Sequence, residues 1–458
     1  MTSRLFAPHA LLRHGWADDV VLEIDAAGTI VAATPRAIPG TAERLAGPVI
    51  PGMPDLHSHA FQRALAGRAE HRGGSGRDTF WTWRETMYRF VARLEPDGAH
   101  AIAAQLYIEL LKSGYTAVAE FQYVHNGPAG LAYAEPAEMS LAHLRAANES
   151  GIALTLLPVL YAQGGFGAAP LGAVQARFAI STDGLLDLVR RMRAAAGANT
   201  CIGVAAHSLR AVSPPQLQAL VDEITRLDPT APIHIHAGEQ KKEVDECVAW
   251  SGKRPVAWLL DHAQVDARWC LVHCTHLDDT EVARLGASGA VAGLCPSTEA
   301  NLGDGVFRLP DFLATGGRYG IGSDSQVSRD PAEELRWLEY GQRLRQLERN
   351  IAASEARPSV GATLWDAAAR GGAQALGRPT GELAPGRCAD LLVLDAAHVD
   401  LAGRRRDEIL DALVFSGSNG LVRDVMVGGR WVVRERHHAA EDAIATRYRK
   451  TVARLLAD

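Results

Sequence analysis

The sequence predicts an α/β protein in which a closed barrel of eight parallel strands and their helices is joined to a small second β domain. Three observations support this fold class. Short apolar runs recur eight times through the middle of the chain, amphipathic segments of helical length separate several of them, and both chain ends carry strand patterns.

The eight apolar runs have the length and composition of buried strands. They consist mainly of β-branched or small residues and often follow Gly or Pro. Helical segments such as "AIAAQLYIELLKSG" (101–114) and "GLLDLVRRMRAAAG" (184–197) lie between them. Strands that alternate with helices favour a parallel sheet, and eight such units favour a closed barrel. The runs cover 47–59, 115–122, 152–160, 201–208, 232–239, 268–276, 289–298 and 318–325.

The two chain ends show a different pattern. "DVVLEIDAAGTIVAA" near the start and "VRDVMVGGRWVVRE" near the end read as short strands joined by Gly turns. We therefore expect residues 1–48 and 381–458 to form one small β domain, and residues 49–380 to form the barrel. The segment "GRPTGELAPG" (377–386) is the expected joint between them.

Composition narrows the classes of protein. The chain has 458 residues, of which 47% are hydrophobic and 22% charged, close to a globular average. The net charge of −6 has mixed signs and no long basic block, so we expect no nucleic-acid or membrane partner. Six cysteines are too few for a disulfide framework. No apolar run reaches the length of a spanning helix, and we expect a cytoplasmic protein.

A histidine pair ends the first predicted barrel strand. In "PDLHSHAFQ" (54–62), His57 and His59 are two residues apart, so both side chains face the same way on a strand. The carboxyl ends of barrel strands carry the active sites of such folds, and two imidazoles there could share a Zn²⁺-like ion. Taken alone, the pair also fits two hydrogen-bonded buried histidines.

Acid and imidazole groups recur at later strand ends. "PIHIHAGE" places His236 near the end of the fifth strand with Glu239 after it, while His234 lies deeper as a packing neighbour. "CLVHCTH" ends the sixth strand with His273, and "GSDS" ends the eighth with Asp324. This recurrence favours a shared metal site over packing histidines.

"CLVHCTH" also allows a rival metal cluster made of Cys270, His273, Cys274 and His276. Strand alternation argues against it, because it turns Cys270 and Cys274 away from His273. We expect the two cysteines to pack on the outer face of the barrel.

Further polar residues could bind a substrate at the same mouth. They are Gln62, Arg84, Tyr123, His207 and Arg210. Two arginines together suit a small dianion, because a guanidinium group pairs with a carboxylate through two hydrogen bonds. Each residue has a simpler alternative, such as a solvated helix face for Arg84 or loop packing for Arg210.

These motifs resemble the amidohydrolase superfamily: the HxH strand, "HAGE", the sixth-strand histidine, the "GSDS" aspartate and the tail "GELAPGRCADLLVLD" appear in the family's order. The resemblance implies a (β/α)₈ TIM-type barrel with a β-sandwich built from both termini. It implies one divalent metal, since "AAHSLRAV" lacks the fourth-strand lysine of two-metal members. Zn²⁺ is the expected ion, with Fe²⁺ as the alternative. The implied metal ligands are His57, His59, His236 and Asp324, and the implied catalytic residues are Glu239, His273 and Asp324.

With "FWTWRETMYR", "AEFQYVHN", "HSLRAV" and "STEANLGDG", the chain also resembles the formiminoglutamate deiminases. That resemblance implies hydrolysis of N-formimino-L-glutamate to N-formyl-L-glutamate and ammonia, in bacterial histidine degradation. Gln62 would meet the formimino group, and Arg84, Tyr123, His207 and Arg210 would bind the carboxylates. Gly238 in "HAGE", and Gln326 where a histidine is expected, depart from the pattern. The alternatives are a related mononuclear deaminase acting on an aromatic heterocycle such as guanine, and a barrel that has lost its chemistry.

Other features carry weaker expectations. The helix at 333–350 has Leu, Trp and Tyr at helical spacing, which is more typical of a core-facing helix than of an interface. A homodimer is compatible with the sequence. Gly73, Gly74 and Gly76 would allow the loop after the first barrel strand to close over a substrate.

Overall fold

The structure, a computed structural model, describes residues 3–72, 76–417 and 420–457. Gly73 and Gly74, in the loop after the first barrel strand, lie outside these residues. Among the helices within them, none combines the length and apolar character needed to cross a lipid bilayer.

Strands and helices follow one another in the order that the sequence patterns predict. The strands are β1 (Ser3–Leu12), β2 (Gly15–Ile24), β3 (Ile30–Thr34), β4 (Glu43–Arg44), β5 (Val49–Pro51), β6 (Met53–Ser58), β7 (Tyr115–Gln122), β8 (Ala153–Leu160), β9 (Thr200–Ile202), β10 (Val204–Ser208), β11 (Ile233–Ala237), β12 (Trp269–His273), β13 (Val291–Leu294), β14 (Arg318–Ile321), β15 (Leu391–Leu394), β16 (Val422–Val427) and β17 (Arg430–Val433). The helices are α1 (Phe80–Val91), α2 (Pro96–Ser113), α3 (Glu138–Ser150), α4 (Thr182–Ala195), α5 (Pro214–Leu227), α6 (Lys241–Ser251), α7 (Pro255–His262), α8 (Asp279–Ser288), α9 (Pro296–Leu302), α10 (Leu309–Ala314), α11 (Pro331–Gln346), α12 (Val360–Ala375), α13 (Asp407–Phe415) and α14 (Glu441–Leu456).

Strands from both chain ends share one mainly antiparallel sheet. Its order is β17–β16–β15–β5–β1–β2–β3, with β4 beside β1. Apolar side chains from both ends pack on it, among them Leu22, Leu391 and Met426. The prediction of a small β domain assembled from the two termini is confirmed. Its boundaries stay a prediction: β5 extends the sheet beyond residue 48, and the final helix α14 packs on the barrel helix α2.

The barrel contains the eight predicted strands in chain order. β6, β7, β8, β10, β11, β12, β13 and β14 pair in parallel with their neighbours, and the short β9 pairs with β8 as an addition. Their residues are almost wholly buried, because helices cover the outside and side chains fill the inside. The predicted (β/α)₈ barrel is therefore confirmed.

The first and last barrel strands meet at the ends of β6 and β14. The Asp324 backbone N–H donates to the carbonyl oxygen of His57 (2.9 Å), and the His59 N–H donates to the carbonyl oxygen of Asp324 (3.2 Å). Gly322 permits this approach, since a Cβ there would lie 2.8 Å from both the Cβ and the carbonyl oxygen of His57. This seam brings the ends of the HxH and "GSDS" motifs together.

The expectation for the helix at 333–350 is wrong in part. Leu335 and Leu338 are buried, but Trp337 is 44% and Leu344 is 75% exposed. Successive residues turn by about 100° around a helix, so residues 335 and 337 lie on nearly opposite sides. One face of α11 packs on the protein, and the other presents apolar side chains to solvent.

Candidate metal and active site

Three imidazoles and one carboxylate converge at the carboxyl ends of β6, β11 and β14. The Nε2 atoms of His57 and His236 are 3.1 Å apart. Asp324 Oδ1 lies 3.6 Å from His57 Nε2 and 3.5 Å from His59 Nε2. All four side chains are buried. The four predicted metal ligands are thus brought together.

Hydrogen bonds orient two of these rings. His59 Nδ1 lies 3.1 Å from the carbonyl oxygen of Phe121, and His236 Nδ1 lies 2.9 Å from that of His207. A nitrogen that faces a carbonyl oxygen must carry the proton, which leaves the Nε2 lone pair free for a metal. Burial lowers the pKa of His59 to about 3 and the pKa values of His57 and His236 well below their ordinary range. The rings are therefore neutral, as metal ligands must be.

The spacing of the donor atoms fits one small ion. Nitrogen and oxygen ligands at about 2.0–2.1 Å from a tetrahedral Zn²⁺ lie about 3.3–3.4 Å from one another. Three of the six donor separations, at 3.1, 3.5 and 3.6 Å, are close to this value, and the donor nitrogens of the three histidines lie within 4.8 Å of one another. The residues present fit a divalent metal in both chemistry and spacing.

The three predicted catalytic residues surround the same point. Glu239 Oε1 lies 3.8 Å from His273 Nε2, which in turn lies 3.9 Å from Asp324 Oδ2. The other ring nitrogen of His273 faces Glu299 Oε1 at 3.4 Å. Burial alone would lower the pKa of His273, but the carboxylates of Glu239, Glu299 and Asp324 raise it to about 10. Burial, together with the Glu239 and Glu299 charges, raises the pKa of Asp324 to about 7.

The backbone is strained at two of these residues. His273 has a φ of 71° and Asp324 a φ of 46°, in the left-handed region that side chains other than Gly rarely adopt. Such conformations persist where the surrounding structure enforces them, and they cluster at functional sites. Cys274, the residue after His273, also has a positive φ of 51°. The regular alternation of side chains along β12, from which the directions of Cys270 and Cys274 were predicted, therefore ends at His273.

The rival cluster in "CLVHCTH" does not assemble among the described residues. Cys270 and Cys274 are fully buried, and neither they nor His276 belongs to a group of converging metal donors. A second group of donors does contain His273, Asp324 and Cys295. Burial raises the pKa of the Cys295 thiol well above its ordinary range, which disfavours the thiolate that a metal would need.

The five predicted substrate residues line one cavity with the catalytic groups. The space between these residues is narrow: about 60 Å³ of it admits the centre of a water-sized sphere. The Gln62 amide N–H donates to Tyr123 Oη at 3.5 Å, while Gln62 Oε1 is buried without a partner in the described structure. Arg210 Nη2 lies 3.9 Å from Glu239 Oε2. Ten of the predicted metal, catalytic and substrate-binding residues line this cavity: His59, Gln62, Arg84, Tyr123, His207, Arg210, His236, Glu239, His273 and Asp324.

The structure shows the surroundings of His234 and Gln326, whose roles the sequence left open, and of Gly238. His234 is a packing neighbour, because its ring contacts the carbonyl oxygen of Ala375 at 2.8 Å. Gln326 donates to Ser58 Oγ (3.1 Å) and to the carbonyl oxygen of Asp324 (2.8 Å), so it supports the seam of the barrel. Gly238 has a φ of +67°, which favours glycine at that position of "HAGE".

Two buried carboxylates behind the site were missed by sequence reasoning. Glu243, on α6, accepts hydrogen bonds from the backbone N–H groups of Gly238 (3.4 Å) and Glu239 (3.0 Å). Glu299, on α9, faces His273 and accepts from the Cys295 N–H at 2.9 Å. An acid four residues after Glu239, at the start of a helix, is a weak signal for the first. Glu299 lies within "STEANLGDG" but had no assigned role.

Comparisons with known proteins agree with this geometry. Residues 49–432 match the Amidohydrolase family, and residues 2–47 match the description "Formimidoylglutamate deiminase HutF, N-terminal domain". Formimidoylglutamate deiminase of Pseudomonas aeruginosa is 55% identical over 99% of this chain and 100% of its own length. The 8-oxoguanine deaminase of the same species is 30% identical over 89% of this chain and 88% of its own.

Solved structures show the same architecture. An amidohydrolase from Brucella melitensis has a TM-score of 0.94 and 44% identity, covering 99% of this chain and 100% of its own. A zinc-bound adenosine deaminase from Xanthomonas campestris has a TM-score of 0.81 at 21% identity, covering 99% and 98%. The second likeness concerns the fold alone.

The barrel, the converging donors and these matches define an amidohydrolase, and the chain belongs to that family. The resemblance read from the motifs is confirmed. Formimidoyl and formimino name the same group, and within the family the chain belongs with the formimidoylglutamate deiminases, hydrolases that act on a C=N bond.

Proposed function

We propose that this protein hydrolyses the formimino C=N bond of N-formimino-L-glutamate, giving N-formyl-L-glutamate and ammonia, as a step of histidine degradation. The observation that carries the proposal is the cavity itself. Arg84 and Arg210 line the same space as Glu239, His273 and Asp324. A substrate with two carboxylates and a C=N group would use both sets of residues.

His57, His59, His236 and Asp324 would hold one divalent metal, and imidazole and carboxylate groups are ligand types that suit Zn²⁺. Fe²⁺ accepts the same ligand types and remains the alternative. When bound, such an ion supplies a Lewis acid and lowers the pKa of water towards neutrality.

The arginines would bind the carboxylates of the substrate, with Tyr123 and His207 beside them. Guanidinium groups can offer two parallel N–H donors to a carboxylate, which fixes the substrate's orientation as well as its charge. Gln62 would meet the formimino end, because its buried Oε1 atom has an unused acceptor site among the described residues. Satisfying that atom favours a substrate group that carries an N–H.

The reaction needs one water molecule and a proton relay. The water oxygen bonds to the formimino carbon, and the bond from that carbon to the terminal imino nitrogen breaks. The imino nitrogen must gain two protons, and the water supplies both. Asp324 accepts the first as the oxygen bonds to carbon and passes it to the leaving nitrogen, while Glu239 gives that nitrogen its other proton and regains one from the hydroxyl group as the C=O bond forms. The nitrogen departs as ammonia, and His273 donates a hydrogen bond to the oxygen as charge develops there.

A ring deaminase is the competing function, since an 8-oxoguanine deaminase is among the relatives. A neutral heterocycle gains little from two arginines, whereas a dianion needs both. The proposal also includes a small dianionic substrate, a cytoplasmic location and a homodimeric assembly, and it includes no nucleic-acid partner.

Ammonia release tests the proposal directly. The purified protein, loaded with Zn²⁺, is assayed with N-formimino-L-glutamate and, at equal concentration, with guanine and adenosine. We expect turnover of the first compound and none of the two rings. Turnover of either ring without turnover of the first would overturn the assignment.

A further inference from the structure

Trp81 lies near the start of α1, where three cationic side chains surround its indole. The guanidinium carbon of Arg84 is 4.5 Å and that of Arg210 is 5.9 Å from the ring centroid. Lys242 Nζ is 4.4 Å from the same centroid. These cations come from α1, from the loop after β10 and from α6. One partly buried ring therefore joins three elements around the mouth of the cavity.

The two arginines have few other partners. Within the described residues, Arg84 makes no hydrogen bond or ion pair, and its guanidinium carbon also lies 5.4 Å from the centroid of the Tyr88 ring. Arg210 lies 3.9 Å from one Glu239 oxygen and is also attracted by the Glu243 carboxylate, and its Nε is buried without a hydrogen-bond partner in the described structure. An aromatic ring attracts a guanidinium without using its N–H donors. Both groups are thus held in place with donors left for carboxylates.

Two guanidinium groups close together also repel each other, more so where water is scarce. The negative face of an indole offsets part of this repulsion. Arg84 and Arg210 line the cavity, whereas Trp81 is not among the lining residues. Trp81 therefore acts on a substrate through the lining residues that it contacts, which are the two arginines and Phe80, whose ring centroid lies 5.1 Å from that of Trp81.

We propose that Trp81 is a positioning residue that sets the separation of Arg84 and Arg210 and so selects substrates with two carboxylates. This inference rests on the proposed function, because it assumes that the two arginines bind a dianion. Lys242 extends the same positive field towards the outside of the cavity, where it favours arrival of an anion.

The test compares a dianion with a monoanion. N-formimino-L-glutamate and 4-(formimidoylamino)butanoate, which lacks the α-carboxylate, are assayed with the wild-type protein and with Trp81→Leu, Trp81→Met and Trp81→Phe. Trp337→Leu on the exposed face of α11 is the matched control. For the aliphatic variants we expect KM for the dianion to rise about tenfold with kcat nearly unchanged, because uniform binding is lost.

The ratio of kcat/KM for dianion to monoanion should fall about tenfold in the aliphatic variants, while Trp81→Phe, which keeps an aromatic face, should retain most of the preference. Trp81→Met covers the case in which Trp81→Leu fails to fold. An unchanged ratio, or an equal fall in kcat for both substrates, would refute the inference.

A double-variant comparison separates positioning from general damage. If Trp81 acts through the arginines, the rise in KM of the double variant Trp81→Leu/Arg84→Met should be smaller than the product of the two single-variant rises. We expect the difference to be at least about threefold. Multiplicative effects would contradict the inference. Absence of turnover by the wild-type protein would instead refute the proposed function, so the two failures are distinct.

Discussion

Replacing Glu239 by glutamine keeps the size of the side chain and removes its acidic proton. The structure places the two carboxylate oxygens of Glu239 opposite different partners, Oε1 near His273 at 3.8 Å and Oε2 near Arg210 at 3.9 Å. The backbone hydrogen bond from Glu239 to Glu243 does not involve the Glu239 side chain, so the loop should keep its shape.

The expected effects on kcat and KM differ. General acid catalysis by a positioned side chain contributes about 10²–10⁴-fold, equivalent to about 3–5 kcal/mol of the barrier, and this part of kcat should be lost. KM should stay nearly constant, because the two arginines that would bind the substrate carboxylates are unchanged.

Steady-state ammonia release, with metal content measured on the same samples, tests this expectation. Glu223→Gln on the exposed surface of α5 is the control and should behave as the wild type. Metal content should stay at about one ion per chain in Glu239→Gln, since none of the four expected ligands changes. A kcat within about tenfold of wild type would refute the role of Glu239 as proton donor.

Two further predictions concern the seam of the barrel. Asp324→Asn removes the anionic member of the proposed ligand set, so we expect elemental analysis to find less than about one divalent ion per chain and turnover at pH 7 to be abolished; a fully active variant would contradict the proton-acceptor role. Gly322→Ala puts a Cβ 2.8 Å from the Cβ and carbonyl oxygen of His57, and should lower the free energy of unfolding by about 1–3 kcal/mol in denaturant titrations. Gly197→Ala, where the nearest atom would be 4.0 Å away, is its control, and equal stability of the two variants would count against the close approach.

The barrel and much of the candidate site could be predicted because local patterns encode them. A buried strand is a short apolar run, and a functional group at its carboxyl end stands out as a polar interruption. His57, His59, His236 and Asp324 each interrupt such a run. Because the strands of such a barrel follow one another in chain order, the order of the runs also predicts which strand ends lie side by side.

The supporting residues could not be predicted in this way, because they lie on helices where charged and aromatic side chains are common. Glu243 and Trp81 look like ordinary helix residues until the fold brings their partners close. The exposed face of α11 was misread for a related reason. Helical spacing shows that apolar residues share a face, but a helix can have two such faces, and packing decides which is covered.

The seam between β6 and β14 has a consequence for how the protein is made. His57 and His59 leave the ribosome before Asp324, which pairs with their backbone and would complete the proposed ligand set, and which follows more than half a chain length later. A nascent chain therefore holds the histidines without the carboxylate, next to a strand edge that lacks its last partner. A translation product that stops before β14 would be an open sheet with an incomplete ligand set, so truncation should yield inactive chains prone to aggregation rather than partly active ones.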